Sequence, residues 1–224
     1  RLLRTISIEK GDGMEVFVVV DGNESSENFE SLDPNASRIS YNDENGEFYL
    51  YLEKKGISWG LALNDSKTYK LVGKQGYLAN VTSVAECKFV DDISNGATWL
   101  GATSLKYANG EKIDDSKDLP ATETGFQRAG SNDTSTWYWA SGPLKGKTML
   151  ETVGHQKGGP WYPVGQDPME PNGNGAEHCL MIVPQGKRPG GEWGFNDINY
   201  VKNTDDVNAD LYIWGYVVEF GGYE

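Results

Sequence analysis

Short runs of alternating apolar and polar residues most constrain how this chain can fold. Four of them, at residues 14–20, 47–54, 179–183 and 211–220, are typical of β-strands. The segment YNDENGEFYLYL predicts a hairpin with a tight turn at Asn45-Gly46. Long helical periodicity is scarce, and glycine is frequent, at 28 of 224 residues. The sequence therefore predicts many short strands and few helices.

Two segments favour helices. The first covers residues 59–69, and the second follows Thr82 or Ser83 and continues to Ile93. Ser83 and Glu86 have the spacing of a capping box, in which each side chain accepts a backbone N–H at the start of a helix. The sequence thus predicts an α+β fold with two helices and short antiparallel sheets.

Residues 106–175 lack regular periodicity but are rich in glycine, proline and tryptophan. Their aromatic side chains predict a long loop region that is packed and ordered. Near the N-terminus, the polar stretch 21–37 is the one candidate boundary. Residues 1–37 are expected to be either a strand extension or the end of an upstream domain, and residues 38–224 the main domain.

Composition narrows the classes of partner. The net charge of −13 disfavours nucleic acid, because phosphate binding needs clustered Lys and Arg. No run approaches the roughly 20 apolar residues of a membrane-spanning helix. The start, RLLRTISIEK, lacks an apolar signal core and predicts a piece of a longer chain. Two cysteines and two histidines disfavour zinc or copper, whereas a hard cation bound by oxygen atoms remains open.

The stretch GQDPMEPNGNGAEH, residues 165–178, concentrates acidic and amide side chains in a segment unsuited to helix or strand. A solvated turn is one reading, and a cation site is the other. Glu170 and Asn172 lie two apart along an extended backbone, so both can face one point. A cis peptide before Pro171 would turn both carbonyl groups toward that point.

The candidate ligands of a cation combine three carboxylates with two amides: Glu170, Asn172, Glu177, Asn196 and Asp197. Ca²⁺ prefers such oxygen ligands and takes six to eight of them, so five side chains would leave positions open. Two neighbouring hydroxyls of a sugar could fill those positions. Carboxylates would accept the hydroxyl protons, and amide NH₂ groups would donate to the hydroxyl oxygens.

A series of segments, in order, resembles the C-type lectin-like domain over about residues 38–224. GYLANVTSVAECKFV is similar to its second helix with the lead-in, TWLGA to a central strand, and WYWASGP to its tryptophan segment. EPN at 170–172 and FND at 195–197 resemble its ligand loops, and GYVVEF its final strand. The opening hairpin is similar to that of bacterial members.

The resemblance implies a principal calcium and sugar site at Glu170, Asn172, Glu177, Asn196 and Asp197, with Asp197 also contributing its backbone carbonyl. EPN, as opposed to QPD, implies preference for the equatorial 3- and 4-hydroxyls of mannose or glucose, or the matching pair of fucose. Trp161 and Tyr162, in a loop longer than usual, are candidates to stack on a sugar; packing of the loop is the alternative.

The sequence departs from the family pattern at several positions. Phe195 stands in place of a tryptophan, and His178 replaces an acid that serves an auxiliary Ca²⁺ in some members, which puts a second ion there in doubt. Tyr200 and Val218 occupy positions of disulfide cysteines. Cys87 and Cys179 are therefore expected to be two free thiols, with a bridge between them as the alternative.

Three functions follow from these features. The first is calcium-dependent binding of mannose- or fucose-containing glycans by a module of a large secreted bacterial adhesin at the cell surface. The second is a lectin-fold module that binds a protein or another surface, with calcium structural or absent. The third is a glycosidase that uses Glu170 and Glu177 as its acid pair. Acids clustered at a cation stay ionised and make poor general acids, so no catalytic residue is assigned.

Overall fold

The computed structural model describes residues 4–10, 13–21, 38–71, 73–128, 132–173, 175–186, 191–201 and 212–221. For residues 4–10, 13–21, 38 and 128 it describes the backbone alone. Runs of three or four consecutive strands are separated by single helices, with no repeated β–α–β unit, which confirms the α+β class.

Three α-helices lie in the described residues: α1 (Trp59–Ser66), α2 (Val84–Ile93) and α3 (Met149–Thr152). The first two match the predicted segments, although α1 ends three residues early. Ser83 Oγ caps α2 by accepting the N–H of Glu86 at 3.0 Å. The Glu86 carboxylate reaches back to the N–H of Thr82 at 2.8 Å instead of that of Ser83. The structure has a third helix, α3, so the prediction of two helices was wrong. α3 is a single turn with one buried residue, Met149.

The strands are β1 (Arg4–Lys10), β2 (Gly13–Asp21), β3 (Arg38–Asn42), β4 (Glu47–Glu53), β5 (Tyr69–Leu71), β6 (Lys74–Gln75), β7 (Tyr77–Leu78), β8 (Ala97–Thr103), β9 (Leu105–Tyr107), β10 (Phe126–Arg128), β11 (Tyr138–Trp139), β12 (Cys179–Val183), β13 (Gly194–Ile198) and β14 (Ile213–Phe220). β3 and β4 form the predicted hairpin. Its turn spans residues 43–46 and closes where Gly46, at φ +74°, donates its N–H to Asn42 O at 2.9 Å. A positive φ of this kind favours glycine.

Twelve of these strands form one sheet in the order β13-β12-β8-β14-β4-β3-β2-β1-β5-β6, with β11 paired to β8 and β7 paired to β14. β9 and β10 form a separate pair. The sheet is mixed, since β14 runs parallel to β8 and β2 parallel to β3. The prediction of short antiparallel sheets is corrected accordingly. β1 and β2 join the same sheet as the later strands. The proposed boundary at residues 21–37 lies outside the described residues except for Asp21, and it stays a prediction.

The sheet separates two apolar clusters. Alternation along β14 places Tyr216 and Val218 in one cluster and Val217 in the other. α1 packs into the first cluster and α2 into the second. Cys179 belongs to the first and Cys87 to the second, and both thiols are free and fully buried. Of the two alternatives for the cysteines, the structure has free thiols.

The long middle region is ordered where the structure describes it. Trp137 and Trp139 are fully buried in the cluster that contains α2. The backbone of Trp137 accepts the N–H of Met149, which holds α3 against the tryptophan segment. No described helix has the length and apolar character needed to cross a bilayer.

Candidate functional site

The predicted ligands come from two segments that β13 brings together. β13 pairs with β12 in a register that sets Asp197 opposite Leu180 and Asn196 opposite Met181. On its other side β13 is joined by the segment around Trp161, where Tyr162 N–H donates to Phe195 O at 3.0 Å. The backbone of the 170–172 loop therefore starts beside the strand that carries Asn196 and Asp197.

Asp197 ties this loop to β13. Its Oδ1 accepts the N–H of Asn172 at 3.0 Å, and its Oδ2 accepts the N–H of Gly173 at 2.9 Å. The Glu170-Pro171 peptide is cis. Glu170 and Asp197 are buried, and Asn172 is exposed. These contacts place one predicted ligand residue of the second segment against the loop that carries the others.

Glu177 lies beside Gly173, close to the carboxylate of Asp197. A Cβ built on Gly173 would lie 2.4 Å from Glu177 Cβ and 2.8 Å from Asp197 Oδ2. Only a residue without a side chain allows the loop to pass between these two acids. Gly173 is thus a residue of the site that the sequence patterns did not single out.

The donors suit a hard cation in chemistry, since they are carboxylate and amide oxygens on adjoining segments. In the arrangement described, however, Glu170, Glu177 and Asp197 do not bring three carboxylate oxygens within 4.8 Å of one another. Asn196 Nδ2 also donates to Asp197 O at 2.6 Å, which occupies the expected carbonyl ligand.

The two aromatic residues suggested for sugar stacking are buried instead, which corrects that expectation. Trp161 is 1% exposed and Tyr162 is 6% exposed. Trp161 packs edge-on against Trp137 and Phe195, and Tyr162 OH donates to Glu192 at 2.7 Å. Neither ring offers a face to a sugar, so both residues pack the long loop, as the alternative held.

His178 is fully buried and its ring contacts other protein groups. Nδ1 lies 2.9 Å from Ser104 Oγ, and Nε2 lies 2.9 Å from Gly175 O. The ring therefore serves the packing of the loop after Gly173 rather than an auxiliary ion. Ser104 is buried as well, so this pair is closed to any substrate.

A second acidic group, which the sequence patterns missed, lies where β4, α2 and β14 meet. Glu47, Glu86 and Glu219 place carboxylate oxygens within 4.8 Å of one another, and this is the one such trio of acids found in the described residues. We call it the three-glutamate cluster. It borders a cavity of about 360 Å³ whose described lining contains no Lys, Arg or His. The one available signal was Glu219, an acid inside the apolar final strand.

Hydroxyl and amide donors hold the cluster. Tyr77 OH and Asn80 N–H donate to Glu219 at 2.5 and 2.7 Å, and Tyr49 OH lies 2.7 Å from Glu86 Oε1. Burial raises the pKa of Glu86 above its ordinary value. Burial, followed by the charge of Glu86, raises the pKa of Glu219 well above its usual range. The cluster therefore favours a proton or a cation as a counter-charge.

Comparisons with known proteins concern the fold. No protein-family model matches the chain, and no curated protein matches it. A calcium-independent type II antifreeze protein is similar at 14% identity and a TM-score of 0.44, covering 84% of this chain and 93% of that one. Human lithostathine is similar at 16% identity and a TM-score of 0.39, covering 89% and 98%.

The order of elements agrees with the order of the segments that resemble the C-type lectin-like domain in the sequence. The hairpin, α2, β8 and the tryptophan segment follow one another as the motifs predict, and the 170–172 loop, β13 and β14 complete the series. The EPN motif lies in a loop, whereas the FND motif lies within β13.

Proposed function

From this C-type lectin-like fold, we propose that the protein binds carbohydrate through Ca²⁺ held by Glu170, Asn172, Glu177, Asn196 and Asp197. The observation that carries the proposal is the junction of the two ligand segments: Asp197 accepts backbone N–H groups of the 170–172 loop, and Gly173 leaves room for Glu177 beside it. The two segments that carry the five oxygen-bearing side chains thereby meet at β13.

Each of these side chains has a part in holding a sugar. A bound Ca²⁺ supplies open positions for two neighbouring hydroxyl oxygens. Glu170 and Glu177 can accept the hydroxyl protons, while the NH₂ groups of Asn172 and Asn196 can donate to the hydroxyl oxygens. The EPN order favours mannose, glucose or fucose over galactose. A single sugar buries few atoms, so affinity for a monosaccharide is expected to be roughly millimolar.

Chelation combined with sugar competition tests the proposal. We expect the protein to be retained on a mannose or fucose resin in Ca²⁺ and to be released by EDTA, by free mannose or by free fucose, but not by galactose. Asp197→Asn should abolish retention, because it removes one negative ligand and one of the two acceptors for the loop N–H groups. Retention that persists in EDTA would refute the calcium mechanism.

We propose that the protein acts outside the cell, where it binds glycans on other surfaces as a secreted or surface-attached module of a larger bacterial adhesin. The acidic composition is compatible with that setting. Residues 1–37 would then connect the lectin domain to its neighbour or extend its sheet. Neither nucleic acid nor membrane insertion forms part of the proposal.

A second candidate function rests on the three-glutamate cluster. If the cation that matters binds there, calcium is structural and the domain can bind a protein or another surface without sugar. Calorimetric Ca²⁺ titration of Glu86→Gln and Asp197→Asn separates the two. If the first proposal holds, sugar retention survives Glu86→Gln and is lost in Asp197→Asn. If the cation is purely structural, Ca²⁺ binding is lost in Glu86→Gln alone.

A further inference from the structure

His155 contacts the backbone of the 170–172 loop, although it is not one of the predicted ligands. Its Nε2 lies 2.8 Å from Glu170 O. A carbonyl oxygen can only accept a hydrogen bond, so Nε2 carries the proton and donates. His155 follows α3 along the chain and is exposed. A side chain from a separate segment therefore holds the peptide that begins the EPN loop.

Trp161 fixes the His155 ring in place. The two rings meet edge to face, with centroids 5.9 Å apart and planes at 83°. Trp161 Nε1 donates to Gly154 O at 3.1 Å, which also holds the backbone beside His155. On another side Trp161 packs edge-on against Phe195, the residue before Asn196. The buried Trp161 ring thus contacts both His155, which holds the 170–172 loop, and β13, which carries the other ligand residues.

We infer that His155 is a positioning residue for the candidate calcium site, and this inference rests on the proposed function. Its hydrogen bond fixes the direction of the Glu170 peptide and hence the place from which the Glu170 carboxylate approaches a cation. Groups that orient metal ligands typically change metal affinity about 10–100-fold when they are removed. The donor at His155 Nε2 positions the loop, and the contact with Trp161 only orients the His155 ring.

Two variants separate the donor from the ring. His155→Phe keeps an aromatic edge for Trp161 but removes the donor. His155→Gln removes the ring but keeps an N–H at a similar reach. We expect Ca²⁺ affinity to fall about tenfold in His155→Phe and to stay within about threefold of the parent in His155→Gln. The readout is calorimetric Ca²⁺ titration without sugar, carried out with Glu86→Gln present throughout so that the three-glutamate cluster contributes less.

Thermal unfolding in EDTA shows whether His155→Phe remains folded. A folded His155→Phe that binds Ca²⁺ as tightly as the parent overturns the positioning role and leaves the proposed function intact. Equal losses in His155→Phe and His155→Gln also overturn it, because they assign the effect to the ring. If the parent itself binds no Ca²⁺ that Asp197→Asn removes, the proposed function fails, and this inference fails with it.

Discussion

At the residue scale, Gly173 is the position where the smallest change should disturb the candidate site most. An added methyl group would meet Glu177 Cβ at 2.4 Å and Asp197 Oδ2 at 2.8 Å. Gly173→Ala must push these acids apart. We expect it to lower the free energy of unfolding by about 1–3 kcal/mol, the usual cost of overpacking. Ca²⁺-dependent retention on a mannose resin should weaken by roughly tenfold.

Gly159→Ala is the matched control for that experiment. It lies in the same long region, but its added methyl group would meet only Gln156 O, at 3.1 Å. We expect retention to remain near that of the parent protein. Both variants are compared with the parent on the same resin and in urea unfolding. Retention of Gly173→Ala equal to that of the parent would mean that Glu177 and Asp197 do not share a cation.

Single residues also show how far sequence reasoning reaches. EPN and FND could be picked out as candidate ligand segments because each is a contiguous motif, and the ligand role of their residues stays a prediction. Trp161 was assigned wrongly because an aromatic residue in a loop has no pattern that reveals which way its ring faces. Glu47, Glu86 and Glu219 were missed because three separate elements bring them together, and each alone resembles an ordinary acid.

At the scale of elements, strands were easier to predict than helices. The strand at Cys179–Val183 was predicted to the residue, since a buried apolar run between polar neighbours marks both ends. α3 has four residues and one buried side chain, too few to show periodicity. Its capping box, Thr148 with Glu151, was the available signal. The parallel pairs of the sheet depend on long excursions of the chain, which local patterns do not encode.

The meeting of β4, α2 and β14 leads to a prediction about pH. The pKa values of Glu86 and Glu219 are raised in the folded protein. Such carboxyl groups stabilise the fold fully below their ordinary pKa of 4.5, and this contribution is lost as pH rises through the raised folded value. We therefore expect the three-glutamate cluster to lower the free energy of unfolding of the calcium-free protein as pH rises above about 5.

Glu86→Gln isolates this contribution. The new NH₂ group can donate to Tyr49 Oη while the amide oxygen accepts the Thr82 N–H, so the contacts of Glu86 can be kept without its charge. Urea unfolding in EDTA between about pH 5 and 8 should show a flatter pH dependence than the parent. Glu111→Gln, at an exposed position, is the control. Parallel curves for the parent and Glu86→Gln would contradict the prediction.

At the scale of the whole molecule, the described fold is stabilised by packing on both faces of one sheet and not by a cross-link between its cysteines. Cys87 and Cys179 lie in clusters on opposite faces, so no adjustment of side chains can join them. Burial raises the pKa of both thiols well above the ordinary value, and the thiolate is the reactive form. The sequence, with cysteines lost from the usual positions, pointed to the same state.

We therefore expect reducing agent to leave the urea midpoint of the protein unchanged. A thiol reagent should react slowly with the native protein and should titrate both cysteines once the chain is unfolded in urea. Reaction of the native protein should follow opening of the fold, so conditions that stabilise the folded state should slow it. Addition of Ca²⁺ should do so if the cation binds the folded form, since saturation at 100 times the dissociation constant adds about 2.7 kcal/mol. Fewer than two reactive thiols in the unfolded, unreduced chain would instead require a disulfide and a rearrangement of the two clusters.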